Sequence, residues 1–234
     1  CQSFALIADN ATHQKMACGD PKAMAKVAIL DPELTLSQPP RVTACTGIDA
    51  IAHAVETAVT RKRNETSLKY SLAAFQMMLE NFSRVLESPD DLHARGQMLL
   101  GAAYAGTAIE HSMLGAAHSA ANPLTAHYDV VHGQAVGMML PHVVRFNAVD
   151  ETIADGYAAL VKDTAVASSN GTLSAEALAQ AMEALLDSAN LPRALAQCGV
   201  EEAQLEILSG EAAEQWTASF NPRDITAADF TGLY

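Results

Sequence analysis

Four side chains, in two separate stretches of this 234-residue chain, have the types and spacing to hold a cation. Asp49 and His53 stand four apart in T-G-I-D-A-I-A-H-A-V-E, while His118 and His132 lie in G-A-A-H-S-A-A-N-P-L-T-A-H-Y-D-V-V-H-G. On a helix, residues i and i+4 leave one face a turn apart, so the first pair would project together. Three imidazoles and one carboxylate make a mixed nitrogen and oxygen donor set suited to a borderline divalent metal. A carboxylate buried without a partner is costly, and the neighbours here are apolar. The plain alternatives are a structural Asp49–His53 hydrogen bond and ordinary, satisfied core histidines. His118 has small neighbours that leave room around its ring, and Gly133 beside His132 allows close backbone approach. Rival metal patterns are absent: there is no H-E-x-x-H, no Glu-x-x-His and no adjacent His-Asp pair.

The elements that must position these residues are mostly helical. Ser3–Ala8 and Lys26–Leu30 are short apolar runs bounded by turn residues, which suits two buried strands. Pro39-Pro40 is a good helix start, and the segment to about Thr60 carries Asp49 and His53. Asn64 opens an amphipathic helix to about Leu86. A third begins near Pro89 and runs, small and apolar on nearly all sides, through His118 to a stop at Asn122-Pro123; such a helix is a buried one. His132-Gly133 begins the next, which Pro141 ends or kinks. Amphipathic helices follow near Glu151–Thr164, Ser174–Ala189, Glu201–Leu208 and Glu211–Trp216.

Composition agrees. Half the residues are hydrophobic and only 5% aromatic, with alanine throughout, which favours closely packed helices over a sandwich or barrel. Lys and Arg number 14 against 27 Asp and Glu, giving a net charge of −13, so neither nucleic acid nor an anionic membrane is an expected partner. Much of that charge sits on the tail from Asp150, a solvated outer face. The four cysteines show no C-x-x-C pair, and idle thiols in a reducing cytoplasm are the simpler reading. There is no apolar run of about eighteen residues and no signal-peptide pattern. The chain opens on Cys1 and reads as a fragment whose beginning lies elsewhere.

The two stretches together, T-G-I-D-A-I-A-H-A-V-E and M-L-G-A-A-H-S-A-A-N-P-L-T-A-H-Y-D-V-V-H-G-Q-A-V-G-M-M-L-P-H-V, resemble the signature regions of the iron-containing (group III) alcohol dehydrogenases. V-A-I-L-D-P-E-L and F-N-P-R-D-I-T-A-A-D-F resemble that family's flanking and closing segments, so the likeness spans the chain. The resemblance implies a mainly α, multi-helix fold of the dehydroquinate synthase-like kind, preceded by a short two-strand remnant of an α/β cofactor domain. Residues 1–36 would be that remnant and 37–234 the all-helical, metal-binding catalytic domain. Asp49, His53, His118 and His132 would be the metal ligands, with Fe2+ by family precedent and Zn2+ suited to the same donors.

The implied activity is NAD- or NADP-linked oxidation of a small alcohol, or reduction of an aldehyde or ketone, in a chain that can form homo-oligomers. Lys15 falls where the family has a lysine on the cofactor side. Ile109, Glu110, His111 and His127 are candidates to line the substrate pocket. Asn122 departs from the family: it stands in A-N-P-L-T where A-H-P-L-G is common, and an amide cannot titrate near neutrality. A larger departure is that neither G-G-G-S nor G-x-G-x-x-G occurs, so this chain alone is expected to be inactive. Two other readings stand beside it: an inactive helical module kept for metal binding or association, and a metal-dependent lyase of the dehydroquinate or deoxy-inosose synthase type.

Overall fold

The computed structural model describes residues 2–9, 15–162, 164, 166 and 173–234. Its architecture is the mainly helical one expected, entered through a short antiparallel hairpin, β1 (Phe4–Ala8) and β2 (Lys15–Gly19). Nine α-helices follow among the described residues: α1 (Pro40–Val59), α2 (Glu65–Glu87), α3 (Leu92–His111), α4 (Ala116–Tyr128), α5 (His132–Asn147), α6 (Glu151–Val161), α7 (Ala175–Ser188), α8 (Leu205–Glu214) and α9 (Ala227–Leu233). No helix among the described residues is long and apolar enough to cross a membrane.

α1 is the central element and packs against α2, α3, α5 and α6. Proline at its first positions costs nothing, since the first-turn N–H groups have no intrahelical acceptor. Alanine lets neighbouring backbones close in, and from Ile48 to Thr60 only Asp49 and His53 are not fully buried. Those two side chains therefore form a polar notch in an otherwise sealed stretch of the helix. α2 starts on a capping box, with Asn64 accepting from the Ser67 N–H and Ser67 Oγ accepting in return. It lies along α3, where Phe75, Met78 and Phe82 are fully enclosed; each contributes roughly 1.5–3 kcal/mol by removal from water.

Several expectations need correction. Lys26–Leu30 forms no strand: its residues are exposed, Ile29 at 88%, and no strand among the described residues pairs with it. The partner of β1 is the Lys15–Gly19 segment, and the hairpin is not buried, since Ile7 and Met16 are about half exposed. The third helix ends at His111 instead of running on to Asn122. Gly115, with φ −137° and ψ −145°, turns the chain there, and α4 starts anew because the Glu56 carboxylate accepts from the Gly115 and Ala117 N–H groups. α3 is also only half-buried, one flank being left uncovered.

Pro123 does not stop its helix, and the helix holding Pro141 does not end there. α4 passes through Pro123 and α5 through Pro141. Burial of every residue from Ala116 to Leu124 holds the α4 segment in place, and the Tyr234 hydroxyl donates to the nearby Ala120 carbonyl at 2.7 Å. In the tail, the two expected helices after Glu201 merge into a 3-10 turn and α8, while α9, opened by the Thr226–Asp229 capping box, was not expected.

Candidate metal centre

Three helices deliver the site: the notch on α1, the first turn of α4 and the first residue of α5. His118 is the third residue of α4, so the cap that Glu56 places on this helix also fixes the approach of its ring. His132 opens α5, directly before Gly133. An added Cβ at Gly133 would meet the Cys45 carbonyl oxygen at 2.0 Å, and one at Gly137 would meet Ile48 Cγ2 at 2.5 Å. Two missing side chains, a turn apart, thus let α5 lie directly on α1 and bring His132 beside Asp49.

Asp49 Oδ1 faces His118 Nε2 at 3.3 Å and His132 Nε2 at 3.9 Å. One donor atom from each of Asp49, His118 and His132 lies within 4.8 Å of the others. His53 stands alongside, its Nε2 3.6 Å from Asp49 Oδ2 and its ring stacked on His118 with centroids 4.9 Å apart. The four residues read from sequence therefore converge, three of them in the tightest group and His53 at its flank. Asp49 Oδ1 and His118 Nε2 are both buried without a hydrogen bond. Polar atoms left so are costly, and a cation between them is what this donor set fits.

Electrostatics point the same way. Burial works to raise the Asp49 carboxyl, but His53, His118 and His132 outweigh it and hold the group well below the usual carboxylate range. Burial works to lower the His118 imidazole, yet Glu56 and Asp49 together push it up to about 9. Both carboxylates thus favour positive charge at His118 while no ion is bound.

A cavity of about 210 Å³ opens over these residues. Ile109 and Asn122 line it, along with Met113, Leu114, Trp216, Thr217 and, from the hairpin, Gln2 and Phe4. Ser3 ties the hairpin down by donating to the Glu110 carboxylate from both its N–H, 2.9 Å, and its hydroxyl, 2.6 Å. Asn122 donates to Gln215 Oε1 at 3.0 Å, and its own Oδ1 is buried without a partner.

His111 does not line this cavity. It is exposed at the end of α3, where its carbonyl accepts from Asn64 Nδ2. His127 also lies outside, paired with Glu211 at 2.8 Å on the surface. The backbone of Lys15 pairs with Ala8, while its side chain lies outside the described residues.

Residues 43–234 match the sequence profile described as the Fe-containing alcohol dehydrogenase family, C-terminal. The chain belongs to that family. It is 30% identical over 231 residues to the NAD-dependent methanol dehydrogenase of Bacillus methanolicus, covering 99% of this chain and 61% of that protein. Against the lactaldehyde reductase of Escherichia coli it is 29% identical, covering 98% and 59%. An archaeal halo-thermophilic alcohol dehydrogenase from a Red Sea brine pool superposes with a TM-score of 0.90 at 26% identity, over 99% of this chain and 59% of that one. The chain spans about three fifths of the length of these relatives.

Sequence reasoning assigned no role to Glu56, although it closes the first signature stretch. Its spacing was a usable signal, since a residue three beyond His53 and seven beyond Asp49 shares their helix face. The wall residues Met113, Leu114, Trp216 and Thr217 carried no comparable pattern, because distant chain segments bring them together.

Proposed function

We propose that this chain is the metal-binding, substrate-holding part of an NAD(P)-linked alcohol dehydrogenase that interconverts small alcohols with aldehydes or ketones. One observation carries the reading: the buried, unpartnered Asp49 Oδ1 and His118 Nε2 face each other, with His132 and His53 beside them. Asp49, His53, His118 and His132 are the residues that would hold a divalent ion, Fe2+ by family membership, with Zn2+ fitting the same donors. Bound there, the ion supplies Lewis acidity, lowering the pKa of an alcohol and polarising a carbonyl.

The remaining work falls to residues of this chain. Ile109, Leu114 and Trp216 give the cavity an apolar wall that excludes water from the substrate carbon. A volume of about 210 Å³ favours a small guest. Asn122 offers a fixed acceptor and cannot relay a proton by titrating, so its role differs from that of an imidazole at this position. Residues 1–36 are read as the remnant of a nucleotide-binding domain that contributes Gln2 and Phe4 to the cavity. Hydride transfer belongs to the nicotinamide, which a glycine-rich domain ahead of this segment would bind. The chain alone, in this reading, turns over no alcohol. The functional protein would be cytoplasmic, with a small alcohol or carbonyl as its partner and neither nucleic acid nor membrane.

The test is metal analysis of the purified chain, joined to activity of a longer chain carrying a nucleotide-binding domain. One Fe2+ or Zn2+ per chain, with alcohol oxidation only in the longer form, is the expected result. Robust NAD(P)-dependent turnover by the 234 residues alone, or no metal in either form, would overturn the proposal.

A further inference from the structure

Glu56 is buried, at 4% exposure, inside the helical body and outside the ligand set. Its carboxylate meets the Gly115 N–H at 3.1 Å, the Ala117 N–H at 2.7 Å and His118 Nδ1 at 2.5 Å. It therefore meets His118 at the ring edge opposite the one facing Asp49. We infer that Glu56 is the positioning residue of the metal site: it accepts the Nδ1–H of His118 and so fixes the tautomer whose Nε2 lone pair points at the ion. This rests on the metal-site reading above.

Backbone amides can only donate, so both Glu56 oxygens act as acceptors, Oε2 toward Gly115 and Oε1 toward Ala117. A carboxylate already accepting on both oxygens leaves His118 Nδ1 as the donor of the third contact. A neutral imidazole carries one N–H, so Nε2 is left as the ligating nitrogen. That atom is the one buried without a hydrogen bond.

Glu56 also joins two helices. It lies on α1, with Asp49 and His53, and caps α4, which carries His118. One carboxylate therefore sets both where α4 begins and how its histidine is turned, so the donors are arranged before an ion arrives.

The experiment is zinc titration of the metal-free chain against a competing chelator, for wild type and Glu56→Gln, with long-range proton–nitrogen NMR of the histidine rings in the zinc-loaded wild type. Glutamine keeps the size and can still accept from Ala117, but it cannot serve as a two-sided acceptor. The expected result is roughly 10–100-fold weaker zinc binding with an unchanged far-ultraviolet spectrum, and a wild-type His118 protonated at Nδ1 and bound through Nε2. A residue that only caps α4 would lower stability and leave the zinc affinity of the folded variant unchanged. Unchanged affinity in folded Glu56→Gln overturns the proposal, and so does wild-type coordination through Nδ1. The second readout decides even where the variant does not fold. Absence of tight zinc binding by wild type overturns the metal-site reading and this inference with it.

Discussion

Gly133 on α5 lies so close to Cys45 on α1 that a Cβ would stand 2.0 Å from the Cys45 carbonyl oxygen and 3.1 Å from Asp49 Cβ. The obstacle is backbone, which cannot rotate away as a side-chain tip can. The approach sets the distance between His132 and Asp49, residues 83 positions apart in sequence, as 132 minus 49 shows.

Gly133→Ala should therefore act on stability and metal binding together. Overpacking costs typically about 1–3 kcal/mol, and contact with backbone puts this site at the upper end. Denaturant unfolding should show that loss, and calorimetry should show weaker zinc binding, because α5 must back away from α1. Wild-type affinity in the variant would mean that the donors are not held by this contact.

Removing a ligand should remove the ion's stabilising effect. Zinc at about a hundred times its dissociation constant stabilises a folded chain by roughly 2.7 kcal/mol. His118→Ala and His132→Ala should lose that gain, and metal analysis should find no tightly held ion. Retention of one ion per chain in both variants would disprove the ligand set.

The metal-free chain should weaken in alkali. The His118 imidazole is raised from 6.5 to about 9 by Glu56 and Asp49 against the pull of burial. Its contribution is complete below pH 6.5 and disappears as pH rises through about 9, an effect on the order of 3 kcal/mol at most. Unfolding measured with a chelator present at pH 6 and pH 9 should show this fall, and His118→Gln should flatten it. A wild type equally stable at both values would contradict the imidazolium.

A distant ion-pair cluster provides a contrast. Arg145 on α5 binds both oxygens of Glu176 at 2.8 Å and Glu183 at 2.6 Å, clamping α5 to α7. The cluster is partly exposed, so Arg145→Ala should cost no more than about 1 kcal/mol, and less in high salt. Zinc affinity should not move, because none of these groups touches the site.

What could be read from the sequence was whatever is decided locally. The starts at Pro40 and Asn64 follow from a proline and a capping box within a few residues. Asp49 and His53 follow from one helical turn. The break after His111 depends on Glu56, 59 positions before Gly115, and local propensity gives no hint of it. Pro123 misled for the same reason, since burial and the remote Tyr234 hydroxyl support the helix through it. Lys26–Leu30 has a strand's composition, yet a strand also needs a neighbour to bond with. His111 and His127 were near the site in sequence only.

The candidate ligands come from α1, α4 and α5, whereas of the cavity wall only Ile109 and Asn122 lie on α-helices, and Met113, Leu114, Trp216, Thr217, Gln2 and Phe4 belong to connecting segments and the hairpin. Most of the wall therefore rides on segments other than those carrying the four candidate ligands. Exchange of Met113 or Trp216 should reshape the room in the cavity while the helices under Asp49, His53, His118 and His132 stay as they are, so the shape of the cavity can change without rebuilding its floor.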